Sequence, residues 1–94
     1  MADVYKALAD ETRRVILDEL AARDGQTLFE ICSLLNTRHG IGASRQAISH
    51  HLTVLESAGL VTVEWRGRSK YHRFDPEPLA GITQRWLNQG KGTE

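Results

Sequence analysis

From Val4 onward the hydrophobic positions recur with helical spacing. Val4, Tyr5 and Leu8 fall on one side of a short first helix that Asp3 can cap. Asp10 can cap a second helix, with Glu11 in its first turn complementing the helix dipole. Ile16, Leu17, Leu20 and Ala21 form its apolar stripe, and Gly25 is the expected stop. Thr27-Leu28-Phe29-Glu30 fits a capping box, in which hydroxyl and carboxylate each satisfy a free backbone N–H. The third helix then runs through Ile31, Leu34 and Leu35 to about Thr37–His39, where Gly40-Ile41-Gly42 breaks it. Ser44 caps the fourth, which continues to Ala58 and ends at Gly59.

Beyond Gly59 the period changes from 3.6 to 2. Val61, Val63 and Trp65 alternate with Thr62, Glu64 and Arg66; Gly67-Arg68 is a turn signal, and Lys70 to Phe74 alternates again. This predicts a β-hairpin. Asp75-Pro76 restarts a helix, with Leu79, Ile82 and Trp86 as its stripe, and the tail after Asn88 is polar. The predicted order is α-α-α-α-β-β-α, mainly helical with a hairpin wing.

Ninety-four residues with this punctuation, and without repeats or linkers, make a single domain over 1–94. A domain of this size buries only about 60% of the surface its unfolded chain exposes, so it gains from a partner subunit. No apolar run is longer than Val15-Ile16-Leu17, whereas a membrane span needs about 20 apolar residues, so no membrane partner is expected. A single cysteine excludes an internal disulfide, and the N-terminus carries no signal-peptide pattern. Together these features point to a soluble cytoplasmic protein.

Net charge is zero, but its distribution is uneven. Residues 1–37 carry four basic and seven acidic groups, residues 38–74 six basic and two acidic, and residues 75–94 two basic and three acidic. A neutral chain can therefore present one basic face.

The fourth helix gives that face a purpose. Ala47, Ile48, Leu52, Leu55 and Ala58 form its apolar side, leaving Arg45, Gln46, Ser49, His50, Thr53, Glu56 and Ser57 outside. Its first two turns carry only hydrogen-bonding groups of short to medium reach, without acid. A helix inserted in the major groove needs that surface. Two helices joined by a turn and followed by a hairpin constitute a winged helix-turn-helix, here with the helix-turn-helix over 27–59 and the wing over 60–74.

The sequence Ala7-Leu8-Ala9-Asp10-Glu11-Thr12-Arg13 followed by Ile16-Leu17 resembles the opening of the ArsR/SmtB repressors. Ser44-Arg45-Gln46-Ala47-Ile48-Ser49-His50-His51-Leu52 and Val54-Leu55-Glu56-Ser57-Ala58-Gly59-Leu60-Val61 resemble their recognition helix and its exit into the wing. Gly67-Arg68 followed by Tyr71 resembles the wing, so the resemblance covers roughly residues 4–87. It implies a homodimer that binds double-stranded operator DNA and usually represses transcription. It also implies dimerisation through the first and last helices, residues 1–9 and 76–88, with Val4, Tyr5, Leu8, Leu79, Ile82 and Trp86 at the interface.

Carried across by position, Gln46, Ser49 and His50 face base edges, each against a plainer role as an exposed helix residue. Ser44, Arg45 and Thr53 complete the DNA-facing set, Arg45 being better suited to phosphate. His51 lies beside the apolar stripe, where a packed or phosphate-facing ring is expected. On the wing, Arg66, Arg68 and Lys70 surround the glycine turn; they reach DNA or, alternatively, guard an exposed sheet edge. Asn36 to Ala43 is about six residues longer than the usual link in that family. Either the third helix is extended or the turn bulges, and Arg38 and His39 either reach the DNA backbone or are merely solvated.

No metal or cofactor is expected. The arsenic and lead/cadmium types of the family carry two cysteines, one residue apart, on the third helix. Here that window reads Glu30-Ile31-Cys32, and Cys32 among Ile31, Leu34 and Leu35 reads as a core thiol. The last helix, Pro76 to Asn88, has no histidine for a zinc or nickel site. Catalytic motifs are absent, so the chain is not expected to be an enzyme. A protein-docking winged helix is the alternative function. A small-molecule effector of unidentified chemistry is left open.

Overall fold

The computed structural model describes residues 3–82. Four helices precede a hairpin: α1 (Val4–Leu8), α2 (Glu11–Ala22), α3 (Leu28–His39), α4 (Arg45–Ser57), β1 (Val61–Arg66) and β2 (Ser69–Phe74). A further helical stretch covers 77–82, where the described residues end. Trp86 lies outside them.

Each helix starts where a side-chain oxygen replaces a missing carbonyl. Asp3, Asp10, Thr27 and Ser44 accept from the backbone N–H groups of Tyr5, Arg13, Glu30 and Ala47. At α3 the box is reciprocal, with Glu30 Oε1 accepting from the Thr27 N–H at 2.9 Å. Asp75 caps the last stretch by accepting from Glu77 N at 3.0 Å.

One helix end differs from expectation. α2 stops at Ala22, because Arg23 is already extended, at φ −142° and ψ 109°. Gly25, at φ 75°, turns the chain later and delivers Gln26 to β2. There Gln26 and His72 exchange backbone hydrogen bonds at 3.0 and 2.7 Å, a one-residue bridge onto the hairpin. The longer link resolves as an extended α3. The helix continues to His39 and ends at Gly40 in the left-handed conformation, φ 64°, with Gly40 N–H bonding back to Asn36.

The extension has a job in the core. Glu19 of α2 is only 5% exposed, and its carboxylate receives His39 Nε2 at 2.8 Å and Arg38 Nη1 at 3.3 Å. Arg38 and His39, both exposed, are thus tied to α2 while remaining in contact with solvent. Pairing meets the need of a buried carboxylate for compensating donors.

The core draws on all of α1–α4 and on β1: Ala7, Ile16, Leu17, Leu20, Ile31, Leu35, Ile48, Leu52, Leu55, Ala58, Leu60 and Val61, with Phe74 of β2 and Leu79 packed against it. Each Leu or Ile so buried contributes about 1.5–3 kcal/mol. Cys32 is half-buried against this cluster and not enclosed by it. The hairpin pairs Val61 with Phe74, Val63 with His72 and Trp65 with Lys70 around the Gly67-Arg68 turn. Gly67 supplies the positive φ, 61°, that a two-residue hairpin requires.

Candidate nucleic-acid interface

Burial of Ile48, Leu52 and Leu55 fixes the rotation of α4. With those positions inward, Arg45, Gln46, Ser49, His50 and Thr53 are all exposed along the opposite side. Ser44 is exposed too, but its hydroxyl is engaged as the cap, accepting from Ala47 N at 3.1 Å. The Thr53 hydroxyl donates to the Ser49 carbonyl at 3.1 Å, so Thr53 turns its methyl and a remaining lone pair outward.

The hairpin stands beside this helix. A cleft of about 450 Å³ separates them, lined by Arg45, Ser49 and Thr53 from α4, Arg68 and Lys70 from the wing, and Thr27 and Phe29 at the start of α3. Arg45 from the helix and Arg68 and Lys70 from the wing therefore converge on one opening. Among the described residues no carboxylate pairs with any of these three cations. The positive end of α4 adds its own field there. Glu56, further along the helix, also lines the cleft and limits the positive stretch to its first turns.

Other cations are committed elsewhere. Arg66 Nε donates to Glu64 at 3.2 Å, and its guanidinium lies 5.1 Å from the Tyr71 ring centroid. Arg66 does not line the cleft. Arg73 bonds Asp24 and also reaches Glu64, at 3.2 Å. The hydrogen bond from Arg66 holds the Glu64 carboxyl below its usual range, with the Arg66 and Arg73 charges adding to it. Gln46 and His50 project outside the cleft lining, on the exposed side of α4.

Two aromatic groups escaped the sequence analysis. Trp65 is 64% exposed on the hairpin, opposite Lys70, whose Nζ lies 5.9 Å from the indole centroid. Alternation puts Trp65 on the same sheet face as Val63 and the buried His72. Phe29, 67% exposed, sits at the opposite lip. A Trp in step with Val61 and Val63 but only two residues from the hairpin turn, beyond the reach of a small core, was the available signal. Behind Phe29 a shallow groove is lined by Cys32, Ser33, Asn36 and Thr37 and shares Arg45 with the cleft. Burial pushes the Cys32 thiol up, against the opposing pull of Arg45. Among the described residues no three His, Cys, Asp or Glu side chains group as metal ligands.

A family model described as a helix-turn-helix domain matches residues 8–64. The HTH-type transcriptional regulator YuzN of Bacillus subtilis is 45% identical over 84 residues, covering 89% of this chain and 91% of YuzN. The chain belongs to the ArsR family of helix-turn-helix transcriptional regulators. Within that family the arsenical resistance operon repressor of Bacillus subtilis is 33% identical, over 83% of this chain and 69% of the repressor. A possible ArsR-family regulator of Mycobacterium bovis, solved by NMR as a homodimeric winged helix-turn-helix DNA-binding domain, superposes with a TM-score of 0.67 at 31% identity, covering 97% of this chain and 76% of that one. This ArsR-family chain is therefore a DNA-binding transcriptional regulator with a winged helix-turn-helix fold. No helix among its described residues is long and apolar enough to cross a membrane.

Proposed function

We propose that the chain is a homodimeric repressor that reads a pseudo-palindromic operator with α4 in the major groove and the wing on the flanking backbone. The observation that carries this is the meeting of Arg45 and Ser49 with Arg68 and Lys70 around one cleft free of paired carboxylates. In this reading Gln46, Ser49 and His50 meet base edges, because they are exposed on the acid-free turns of α4. Arg45, Arg68 and Lys70 meet phosphates, and Trp65 packs alongside. Arg66, held by Glu64 and Tyr71, stiffens the hairpin. The activity is binding without a catalytic step, and it places the protein in the cytoplasm with its DNA.

The dimer is proposed through α1 and the last helix. Tyr5 is 51% exposed, and Val4, Leu8, Leu79 and Ile82 are only half-covered. Leu8, Leu17, Ala21, Phe74 and Leu79, with Arg14 and Asp18 beside them, border a mostly apolar recess of about 240 Å³. The homodimeric state of the M. bovis relative supports covering this face with a second copy. Two-fold symmetry would then set two copies of α4 about 34 Å apart, one turn of DNA.

An effector acts by favouring one dimer state through differential affinity. One cysteine per chain and no histidine in Pro76–Asn88 make a thiolate or zinc-type site a poor fit, so we propose a non-metal effector. The test of the DNA reading is a gel-shift titration with random duplex at low and high salt. A DNA-binding wing predicts salt-sensitive retardation, whereas a protein-docking winged helix predicts none.

A further inference from the structure

The motif Ala7–Arg13 has so far contributed only a helix end and a cap. Its last residue does more. Arg13 Nε donates to the Ala7 carbonyl at 2.8 Å, and Nη2 donates to the Lys6 carbonyl at 3.1 Å. The carbonyls at the end of this five-residue helix are otherwise met by Ala9 N–H, 3.2 Å from the Lys6 oxygen, and by Arg14 Nη1, 2.6 Å from the Leu8 oxygen, so Arg13 shares in finishing α1 and, among the described residues, alone bonds the Ala7 carbonyl from a side chain. From the same guanidinium, Nη1 lies 3.1 Å from Nδ1 of His51, in the middle of α4. One side chain of α2 thus joins the helix that carries Val4, Tyr5 and Leu8 to the helix that carries Gln46, Ser49 and His50.

The joint depends on a proton. A guanidinium has donors only, so Nδ1 of His51 must offer its lone pair, and the ring must be neutral with hydrogen on Nε2. A protonated His51 would have no acceptor and would add a cation against Arg13. The charged groups that face His51 are Asp10 at the cap of α2, Arg13 on α2 and His50 on its own helix. Burial lowers the His51 pKa, Asp10 opposes this, and Arg13 and His50 add to the lowering. His50 is the next residue, on the DNA side, with its ring centroid 6.2 Å from that of His51.

We propose that Arg13 is a positioning residue for operator recognition: through neutral His51 it fixes α4 against α1, and protonation of His51 releases the tie and weakens operator binding. The consequence differs between kinds of DNA. An operator must be met by two α4 helices in register, so it is sensitive to how each is held relative to the dimer helices. Random duplex needs only phosphate contacts, which tolerate a looser helix.

This inference rests on α4 being the recognition helix and α1 part of the dimer interface. The test uses the full-length protein, a duplex that it selects from a random pool, and an unrelated duplex of equal length. Affinities for both are measured at about pH 8 and about pH 5.5, on either side of the ordinary histidine pKa. Their ratio cancels any change with pH that is common to both duplexes.

Arg13→Ala is expected to lower the operator-to-random ratio about tenfold at the higher pH, within the range for residues that transmit coupling without touching ligand. It should still sediment as a dimer. His51→Gln keeps an acceptor for Arg13 but cannot titrate. It should match wild type at the higher pH and keep its ratio on acidification, while the wild-type ratio falls severalfold. An unchanged ratio in Arg13→Ala, or parallel pH profiles for wild type and His51→Gln, would overturn the proposal. If Arg13→Ala fails to fold, the His51→Gln comparison decides. A wild-type protein that enriches no duplex would defeat the DNA reading itself, and this inference with it.

Discussion

His72 shows how a single residue links local chemistry to stability. It is 5% exposed, and its Nδ1 donates to the Gln26 carbonyl at 2.9 Å, beside the backbone bridge between the same two residues. Burial pushes its pKa down, Gln26 and Glu56 oppose this, and Lys70 adds to it. An unfolded histidine takes up its proton near pH 6.5. Between that value and the lower folded pKa the unfolded state binds more protons, so stability rises with pH there. The contribution is complete above about pH 6.5 and is lost as pH falls toward the folded value. His51 has the same sign. Urea midpoints should therefore fall as pH drops from about 7.5 to about 5.5, and His72→Gln should flatten that fall. Glu30 acts in a lower window. The Thr27 N–H holds its carboxyl down against burial, so its support is present above about pH 4.3 and is lost below it. Removing the reciprocal partner, Thr27→Ala, should cost about 1 kcal/mol of unfolding free energy in urea titration, as cap deletions do.

At the scale of elements, the rotation of α4 by Ile48, Leu52 and Leu55 divides the DNA-facing residues into separable groups. Ser49→Ala or Gln46→Ala should lose about 1–3 kcal/mol at a matched operator and little on random DNA. Arg68→Ala should weaken both and reduce the salt slope by about one for the lost phosphate contact. Filter-binding titrations at several salt concentrations would check both. If Arg68→Ala is silent at every salt concentration, the wing does not touch DNA. The helices and hairpin were legible in the sequence because their causes are local. A cap needs one oxygen near an N–H two or three residues on, and a hairpin needs alternation about a glycine turn. The outward side of α4 was legible for the same reason, since its complement is the apolar stripe. Contacts made across the fold were not. Glu19 meets His39 twenty residues away, Arg13 meets His51 across thirty-eight, and Gln26 meets His72 across forty-six. No periodicity marks such pairs. Charge alone did not show that Arg66, one of three wing cations, also contacts Glu64 and Tyr71.

For the whole molecule, the half-covered face of α1 and the last helix calls for a second copy. Sedimentation at tens of micromolar should give a dimer, and Leu8→Glu should shift it toward monomer while weakening operator binding more than random binding. A monomeric wild type would contradict that interface. Zinc, cadmium and arsenite at stoichiometric levels should leave operator affinity within about twofold of chelator-treated protein. A tenfold weakening that is reversed by chelator or thiol and lost in Cys32→Ser would show a thiolate site instead. The central claim, that α4 and the wing read a two-fold operator, is tested most directly by selecting bound duplexes from a random pool and footprinting the winner. The account predicts one inverted repeat, with half-site centres about 10 base pairs or a whole number of turns apart, whose enrichment disappears with Gln46→Ala and Ser49→Ala. Selection that enriches no sequence, or a repeat still bound normally by both variants, would contradict it.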